Sequence, residues 1–123
     1  MAKILIVDDA KSLRNQLRED LEKGGHTISE AADGYEGLES IRQNQFDLII
    51  CDVNMPNMDG FAMCKKLREN PANASLQIFM LTTEADPEMK IRGKEVGVKA
   101  WISKPYVLDK LLVAISRVCP AKE

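Results

Sequence analysis

The stretch Leu48-Ile49-Ile50-Cys51-Asp52 decides how this chain folds, because four consecutive apolar residues end on a single carboxylate. Continuous apolar runs of this length are typical of parallel strands that are covered on both faces. Two further stretches have the same form, Ile4-Leu5-Ile6-Val7-Asp8-Asp9 and Ile78-Phe79-Met80-Leu81-Thr82. Each predicts a buried strand that carries a polar side chain at its carboxyl end.

Apolar runs alternate with segments of helical period five times along the chain, which predicts repeated βα units and a parallel sheet. The predicted strands at 3–8, 47–52 and 77–81 are nearly continuous in apolar residues and are therefore placed at the centre. The stretch Thr27–Ala31 alternates in polarity, and Ala100–Ile102 is very short. These two are predicted to be the edge strands.

The predicted helices carry their own boundary signals. Aspartates stand at the starts of the second, third and fourth helices, where they are typical N-caps; these are Asp33, Asp59 and Asp86. Pro87 follows the last of them, and Gly97 lies just past the predicted end of the same helix. This fourth helix has the thinnest apolar face of the five.

Composition limits the classes of protein that the chain can belong to. Its 123 residues, 45% of them hydrophobic, predict one domain over residues 1–123. A formal charge of −2 gives no large positive field, so no nucleic-acid partner is expected. The three cysteines lack metal-ligand spacing and favour a reducing compartment. Only four apolar residues precede the first aspartates, too few for a membrane span, and we expect a cytoplasmic monomer without a membrane partner.

The polar strand ends predict one site. In an open α/β sheet the carboxyl ends of the strands share a crevice in which ligands bind. Three carboxylates (Asp8, Asp9 and Asp52), the hydroxyl of Thr82 and the amine of Lys104 should meet there. Crowded carboxylates raise one another's pKa unless a cation sits among them, and hard oxygen ligands suit Mg²⁺. With the amine and the hydroxyl added, the pattern predicts a phosphoryl-binding pocket.

Each of these residues also has a plain structural interpretation, since aspartate is common in turns and lysine on solvated surfaces. The functional interpretation draws on their chemistry taken together. A carboxylate such as Asp52 is a competent nucleophile toward phosphorus. Asn54 can offer a metal its backbone carbonyl, while Thr82 and Lys104 supply a hydroxyl donor and a compact cation.

The combined residues resemble the receiver domain of two-component response regulators over essentially the whole chain. The resemblance rests on Asp8, Asp9, Asp52, Thr82, Lys104, Pro105 and the loop Asn54-Met55-Pro56-Asn57-Met58-Asp59-Gly60. Stand-alone chemotaxis regulators of the CheY type are the most similar members, because that loop and Thr82-Thr83-Glu84 read like theirs and no output domain follows. The resemblance implies a flavodoxin-like (βα)5 fold, a doubly wound parallel sheet in the order 2-1-3-4-5 that CheY itself exemplifies.

The resemblance also implies the phosphorylation chemistry. Asp52 would accept a phosphoryl group from the phosphohistidine of a CheA-like histidine kinase. Mg²⁺ would be bound by Asp9, Asp52 and the carbonyl of Asn54, with Asp8 acting through water. Lys104 would hold the phosphoryl oxygens together with the threonine hydroxyl.

A switch is implied as well. Thr82 and Trp101 would move together on activation, with Trp101 standing where the family usually has Tyr or Phe. Asn54 and Glu84 would tune dephosphorylation. Thr83 departs from the small residue often found beside the switch hydroxyl, and the bulk of Trp101 is the second departure.

The implied output is an altered affinity for a partner, such as a flagellar motor switch protein, with a phosphatase as a further partner. In this interpretation the chain is not an enzyme beyond catalysing its own phosphorylation and dephosphorylation. The alternatives are a phosphorelay intermediate or phosphate sink, and a small phosphatase that uses Asp52 as its nucleophile. A flavodoxin-like cofactor binder is disfavoured, because no Gly- or Ser/Thr-rich phosphate loop follows the first strand.

Overall fold

The computed structural model describes residues 2–83 and 85–119, in which five strands alternate with five α-helices. The strands are β1 (Lys3–Val7), β2 (Thr27–Ala31), β3 (Leu48–Asp52), β4 (Gln77–Thr82) and β5 (Val98–Ser103). The helices are α1 (Lys11–Lys23), α2 (Gly34–Gln43), α3 (Gly60–Arg68), α4 (Pro87–Glu95) and α5 (Leu108–Val118), with a short 3₁₀ helix at Pro71–Asn73. The strands form one parallel sheet in the order β2-β1-β3-β4-β5, which confirms the predicted fold.

Two apolar cores cover the sheet, one on each face. Successive side chains of a strand point to opposite faces, so β1, β3 and β4 contribute to both cores. One core is completed by α2 and α3, with Met89 of α4 at its margin, and the other by α1 and α5. Every residue of β3 is buried. The carboxyl end of this central strand is therefore held firmly in place.

The edge strands are β2 and β5, as predicted, but the prediction that β5 is very short is wrong. The strand runs for six residues, Val98–Ser103, and pairs with β4. Ile78 of β4 pairs with Val98, but the next residue, Phe79, pairs with Ala100. Lys99 is therefore an extra residue in β5. An exposed lysine within a bulge interrupts the apolar pattern and conceals the first half of the strand.

The three aspartate N-caps form as predicted. Each carboxylate accepts a hydrogen bond of 2.8 Å from the backbone N–H three residues along the chain, Asp33 from Glu36, Asp59 from Ala62 and Asp86 from Met89. Pro87 opens α4, and Gly97 beyond its end has φ +77°. These caps fix the first turns of α2, α3 and α4 at the carboxyl edge of the sheet.

The fourth helix is packed lightly, as its sequence predicts. Gly93 is the one residue of α4 that is buried, and Ile91 is 63% exposed. A helix with so few buried contacts can shift at a low cost in free energy. None of the helices in the described ranges has the length and apolarity that a membrane crossing requires.

The opposite, amino-terminal edge of the sheet contains the single histidine. His26 precedes β2, and its Nδ1 accepts a hydrogen bond of 3.1 Å from the backbone N–H of Ala2. Partial burial lowers the pKa of His26 below its usual value of 6.5. The neutral imidazole is thus the form that the fold favours.

Candidate functional site

Two aspartates lie side by side where β1 and β3 end. Asp8 directly follows β1, and Asp52 is the last residue of β3, the neighbouring strand in the sheet. Asp8 is fully buried and Asp52 is 5% exposed, whereas Asp9 is exposed at the rim. One carboxylate oxygen from each of Asp8, Asp9 and Asp52 lies within 4.8 Å of the other two. The predicted convergence of the three acids is therefore present.

The carboxylate of Asp8 has one oxygen engaged and one available for a cation. Its Oδ1 accepts a hydrogen bond of 2.8 Å from the backbone N–H of Ala10. Its buried Oδ2 has no aligned hydrogen bond among the described residues, although it lies 3.1 Å from the Nζ of Lys104. Buried oxygens are normally hydrogen-bonded or bound to a metal, so this donor set fits a hard divalent cation such as Mg²⁺.

Lys104 joins the two buried acids from the side of β5. Its Nζ lies 3.0 Å from Oδ1 of Asp52 and 3.1 Å from Oδ2 of Asp8. The backbone N–H of Lys104 donates to the carbonyl of Thr82, and the peptide bond to Pro105 is cis. The two Nζ contacts show that the predicted lysine points into the crevice.

The pKa values of the pair reflect competition between burial and charge. Burial raises the pKa of Asp52 above its usual value, and repulsion by Asp8 adds to this, while Lys104 and the backbone N–H of Asn54 act in the opposite direction. Burial alone would lower the pKa of Lys104, but its hydrogen bond and attraction to Asp52 and its attraction to Asp8 exceed that effect and raise it. Lys104 therefore remains a cation throughout the physiological range.

Thr82 and Trp101 lie on the side of the site that faces α4. Thr82 is the last residue of β4 and is buried, in register with Ser103 of β5. The indole of Trp101 is half-buried, and its ring centroid lies 6.1 Å from that of Phe61 on α3. A methyl group on Gly93 would lie 2.5 Å from Cζ2 of this indole, so the ring is seated where α4 has no side chain.

Asn54 and Thr83 are exposed beside the site, and the backbone of Asn54 acts to lower the pKa of Asp52. Glu84, the second predicted tuning residue, lies outside the described residues. The structure thus brings six of the predicted site residues together: Asp8, Asp9, Asp52, Asn54, Thr82 and Lys104. Trp101 lies further from the acids, between Phe61 of α3 and Gly93 of α4.

Two supporting residues were not singled out from the sequence. Arg14 of α1 donates from Nη1 to the carbonyl of Asp8 at 2.6 Å and from Nε to Glu30 at 3.1 Å, which fixes the backbone of the buried acid. Gly60, the first residue of α3, abuts the carbonyl of Asp52 so closely that a Cβ would overlap it. Two features of the sequence could have identified them: Arg14 is a cationic residue one turn into α1, and Gly60 directly follows the N-cap of α3.

A flavodoxin-like sheet with clustered carboxylates, a threonine and a lysine at its carboxyl edge is typical of a phosphoacceptor signalling domain. The chain belongs to the family of response regulator receiver domains, with residues 4–116 matching the family described as "Response regulator receiver domain". Members of this family generally bind Mg²⁺ at the acidic pocket and interact with histidine kinases and output partners.

Structural neighbours include CheY-type regulators. The chemotaxis protein CheY4 of Vibrio cholerae is 43% identical with a TM-score of 0.92, over 96% of this chain and 98% of that one. The signal receiver domain of a histidine kinase from Syntrophus aciditrophicus is 31% identical with a TM-score of 0.87, over 100% of this chain and 96% of that one.

Relatives by sequence include longer proteins. The sensor protein EvgS of Escherichia coli (strain K12) is 40% identical over 115 residues, which are 94% of this chain and 9% of that protein. The chain spans less than half the length of the curated relatives that it matches, among them response regulators of mycobacteria, of which it covers 47%. The receiver unit is therefore shared by proteins of different architecture.

Proposed function

We propose that this chain is a phosphorylation-activated response regulator that accepts a phosphoryl group on Asp52 and thereby changes its affinity for a partner protein. One observation carries the proposal. Three carboxylates converge within 4.8 Å of one another, and a lysine bridges the two buried ones at about 3 Å. Such crowding of like charges is unfavourable for stability unless cations offset it, and a site of this kind is typical of function.

The chemistry assigns a task to each side chain. A carboxylate oxygen of Asp52 attacks phosphorus and forms a new P–O bond, while the P–N bond to the donor histidine breaks and the imidazole leaves with the electron pair. Mg²⁺ held by Asp9, Asp52 and the carbonyl of Asn54, with Asp8 acting through water, would neutralise charge on the phosphoryl oxygens. Lys104 then exchanges its contact with the Asp52 carboxylate for a contact with the phosphoryl group.

The proposed conformational change after phosphorylation involves the carboxyl end of β4 and the neighbouring strand β5. In the proposal the hydroxyl of Thr82 turns toward the phosphoryl group, and Trp101 responds because its strand is paired with β4. Asn54, exposed beside the site, would influence the water that hydrolyses the acyl phosphate, and Glu84 would share that role. The light packing of α4 makes it the element most easily repositioned.

The test is covalent labelling. Intact-mass analysis after incubation with phosphoramidate and Mg²⁺ should show one added phosphoryl group in the parent protein and none in Asp52→Asn. Chelation of Mg²⁺ should suppress labelling, and Asp109→Asn, an exposed acid on α5, should be labelled like the parent. Full labelling of Asp52→Asn would refute the assignment.

We propose chemotaxis or flagellar motor control as the setting, with a CheA-like kinase as donor, a motor switch protein as partner and residues 1–123 acting as one cytoplasmic unit. The likeness to CheY4 over nearly its full length supports this role. A phosphorelay intermediate is the second candidate, because a receiver domain from a histidine kinase and the sensor protein EvgS are also similar. Phosphoryl transfer from the labelled protein to a histidine phosphotransfer domain would favour the relay.

A further inference from the structure

A cleft of about 320 Å³ opens beside the phosphoacceptor site, between the loop that follows β3 and the start of α4. Asn54 and Thr82 line both the cleft and the acidic site. A small molecule in this cleft would therefore border the acceptor carboxylate. The three acids would repel an anionic molecule. A cationic side chain that lines the cleft would reduce this repulsion and favour the approach of anions.

Three charged residues line the cleft, and two of them are already engaged. Asp59 and Asp86 each accept the N-cap hydrogen bond of a helix, at 2.8 Å. The third is Arg92, whose Cζ lies 4.3 Å from the ring centroid of Phe61. Among residues 2–83 and 85–119, no carboxylate lies within ion-pair distance of its guanidinium.

The position of Arg92 over Phe61 suits it to bind anions. A guanidinium on an aromatic face is held by the ring while its N–H donors remain in the plane of the group. Those donors match the two oxygens of a carboxylate. Arg92 is therefore held at the cleft without an ion pair to any carboxylate of residues 2–83 and 85–119.

We propose that Arg92 is a specificity-determining residue that favours acyl phosphates as phosphodonors to Asp52. The proposal rests on the proposed function. During transfer the new bond forms between an oxygen of Asp52 and phosphorus, and the bond between phosphorus and the acyl oxygen breaks. The carboxylate leaves with the electron pair, opposite the attacking oxygen, and Arg92 stabilises the negative charge that develops on it.

A comparison of two donors isolates this contribution. Acetyl phosphate releases an anionic carboxylate, whereas phosphoramidate releases neutral ammonia. Arg92→Ala should slow labelling by acetyl phosphate on the order of three- to tenfold, a modest electrostatic effect, and leave labelling by phosphoramidate within error of the parent rate. Arg92→Lys should retain part of the rate, since it keeps the charge but not the two-pronged contact.

The matched control is Lys65→Ala, which removes an exposed cation of α3 that does not line the cleft. Initial rates are followed by intact mass at saturating Mg²⁺. Equal slowing with both donors, or no slowing of Arg92→Ala relative to Lys65→Ala, would overturn the role of Arg92 while Asp52 remained the acceptor. Failure of the parent to be labelled by either donor would instead count against the proposed function itself.

Discussion

Replacing Gly93 by alanine tests how the indole of Trp101 is seated against α4. The added methyl group would lie 2.5 Å from Cζ2 of the indole, 3.2 Å from its Cη2 and 3.2 Å from Cγ2 of Val98. Two carbon atoms cannot approach to 2.5 Å, so either the ring or the lightly packed α4 must shift. If the ring shifts, the indole also loses its contact with Phe61.

The expected free energy change combines opposing effects. Alanine in place of glycine within a helix stabilises it by about 1 kcal/mol. Overpacking of a well-packed site costs roughly 1–3 kcal/mol, and loss of an aromatic pair costs about 0.5–1.5 kcal/mol. We therefore expect Gly93→Ala to lower the free energy of unfolding by about 0.5–3.5 kcal/mol.

Urea unfolding measures the stability, and the emission of Trp101, the only tryptophan, reports on the ring. Emission should shift to longer wavelength as the indole becomes more exposed. In a Trp101→Phe background the clash with the indole is removed, although the methyl group still lies 3.2 Å from Cγ2 of Val98, so Gly93→Ala should there be less destabilising than in the parent, or stabilising by up to about 1 kcal/mol. A single variant that is more stable than the parent, with unchanged emission, would refute the reasoning.

Three further outcomes are expected. Asp9→Asn should raise the Tm in metal-free buffer by a few degrees, because it relieves repulsion among the acids, and should abolish the stabilisation by Mg²⁺ in the same thermal melts. The pKa of His26 is lowered in the folded state, so its neutral form stabilises the fold above pH 6.5 and this contribution is lost as the pH falls below that value. Urea melts from pH 7.5 to 5.5 should therefore show a smaller loss of stability in His26→Gln than in the parent. Gly60→Ala should lower the free energy of unfolding by about 2 kcal/mol or more and slow labelling of Asp52, since the methyl group overlaps a backbone carbonyl. Gly24→Ala is its control, because there the methyl group meets no atom closer than 3.3 Å, and equal stability of the two variants would contradict the close approach.

Much of the fold follows from local sequence patterns. The buried strand Leu48–Asp52 is recognisable because both of its faces are covered, which leaves an uninterrupted apolar run. The N-caps of α2, α3 and α4 are recognisable because one aspartate and its position suffice. The length of β5 could not be recognised from the sequence, because the bulge at Lys99 inserts an exposed charge into the apolar pattern.

The acidic site could be predicted because each polar residue ends a strand and parallel strands end at one edge. The residues that surround it could not. Arg14 reaches Asp8 through a long side chain, and Gly93 accommodates the indole of Trp101 from β5, the strand that follows α4 and folds back beside it. Arg92 meets Phe61 across the gap between two helices. These contacts depend on three-dimensional proximity, which no local period records.

The close approach of Gly60 to Asp52 makes the acceptor site stiff on one side and compliant on the other. Toward α3, the backbone N–H of Gly60 donates to the carbonyl of Val53, and the thiol of Cys51 donates to the carbonyl of Asp52. A displacement of the Asp52 backbone in that direction would have to carry the whole first turn of α3 with it. On the other side the backbone N–H of Val53 donates to the carbonyl of Leu81 in β4, but α4 beyond that strand is packed lightly, so a force created at Asp52 is relieved there. A single added charge can thus give a directed motion rather than a general loosening of the domain.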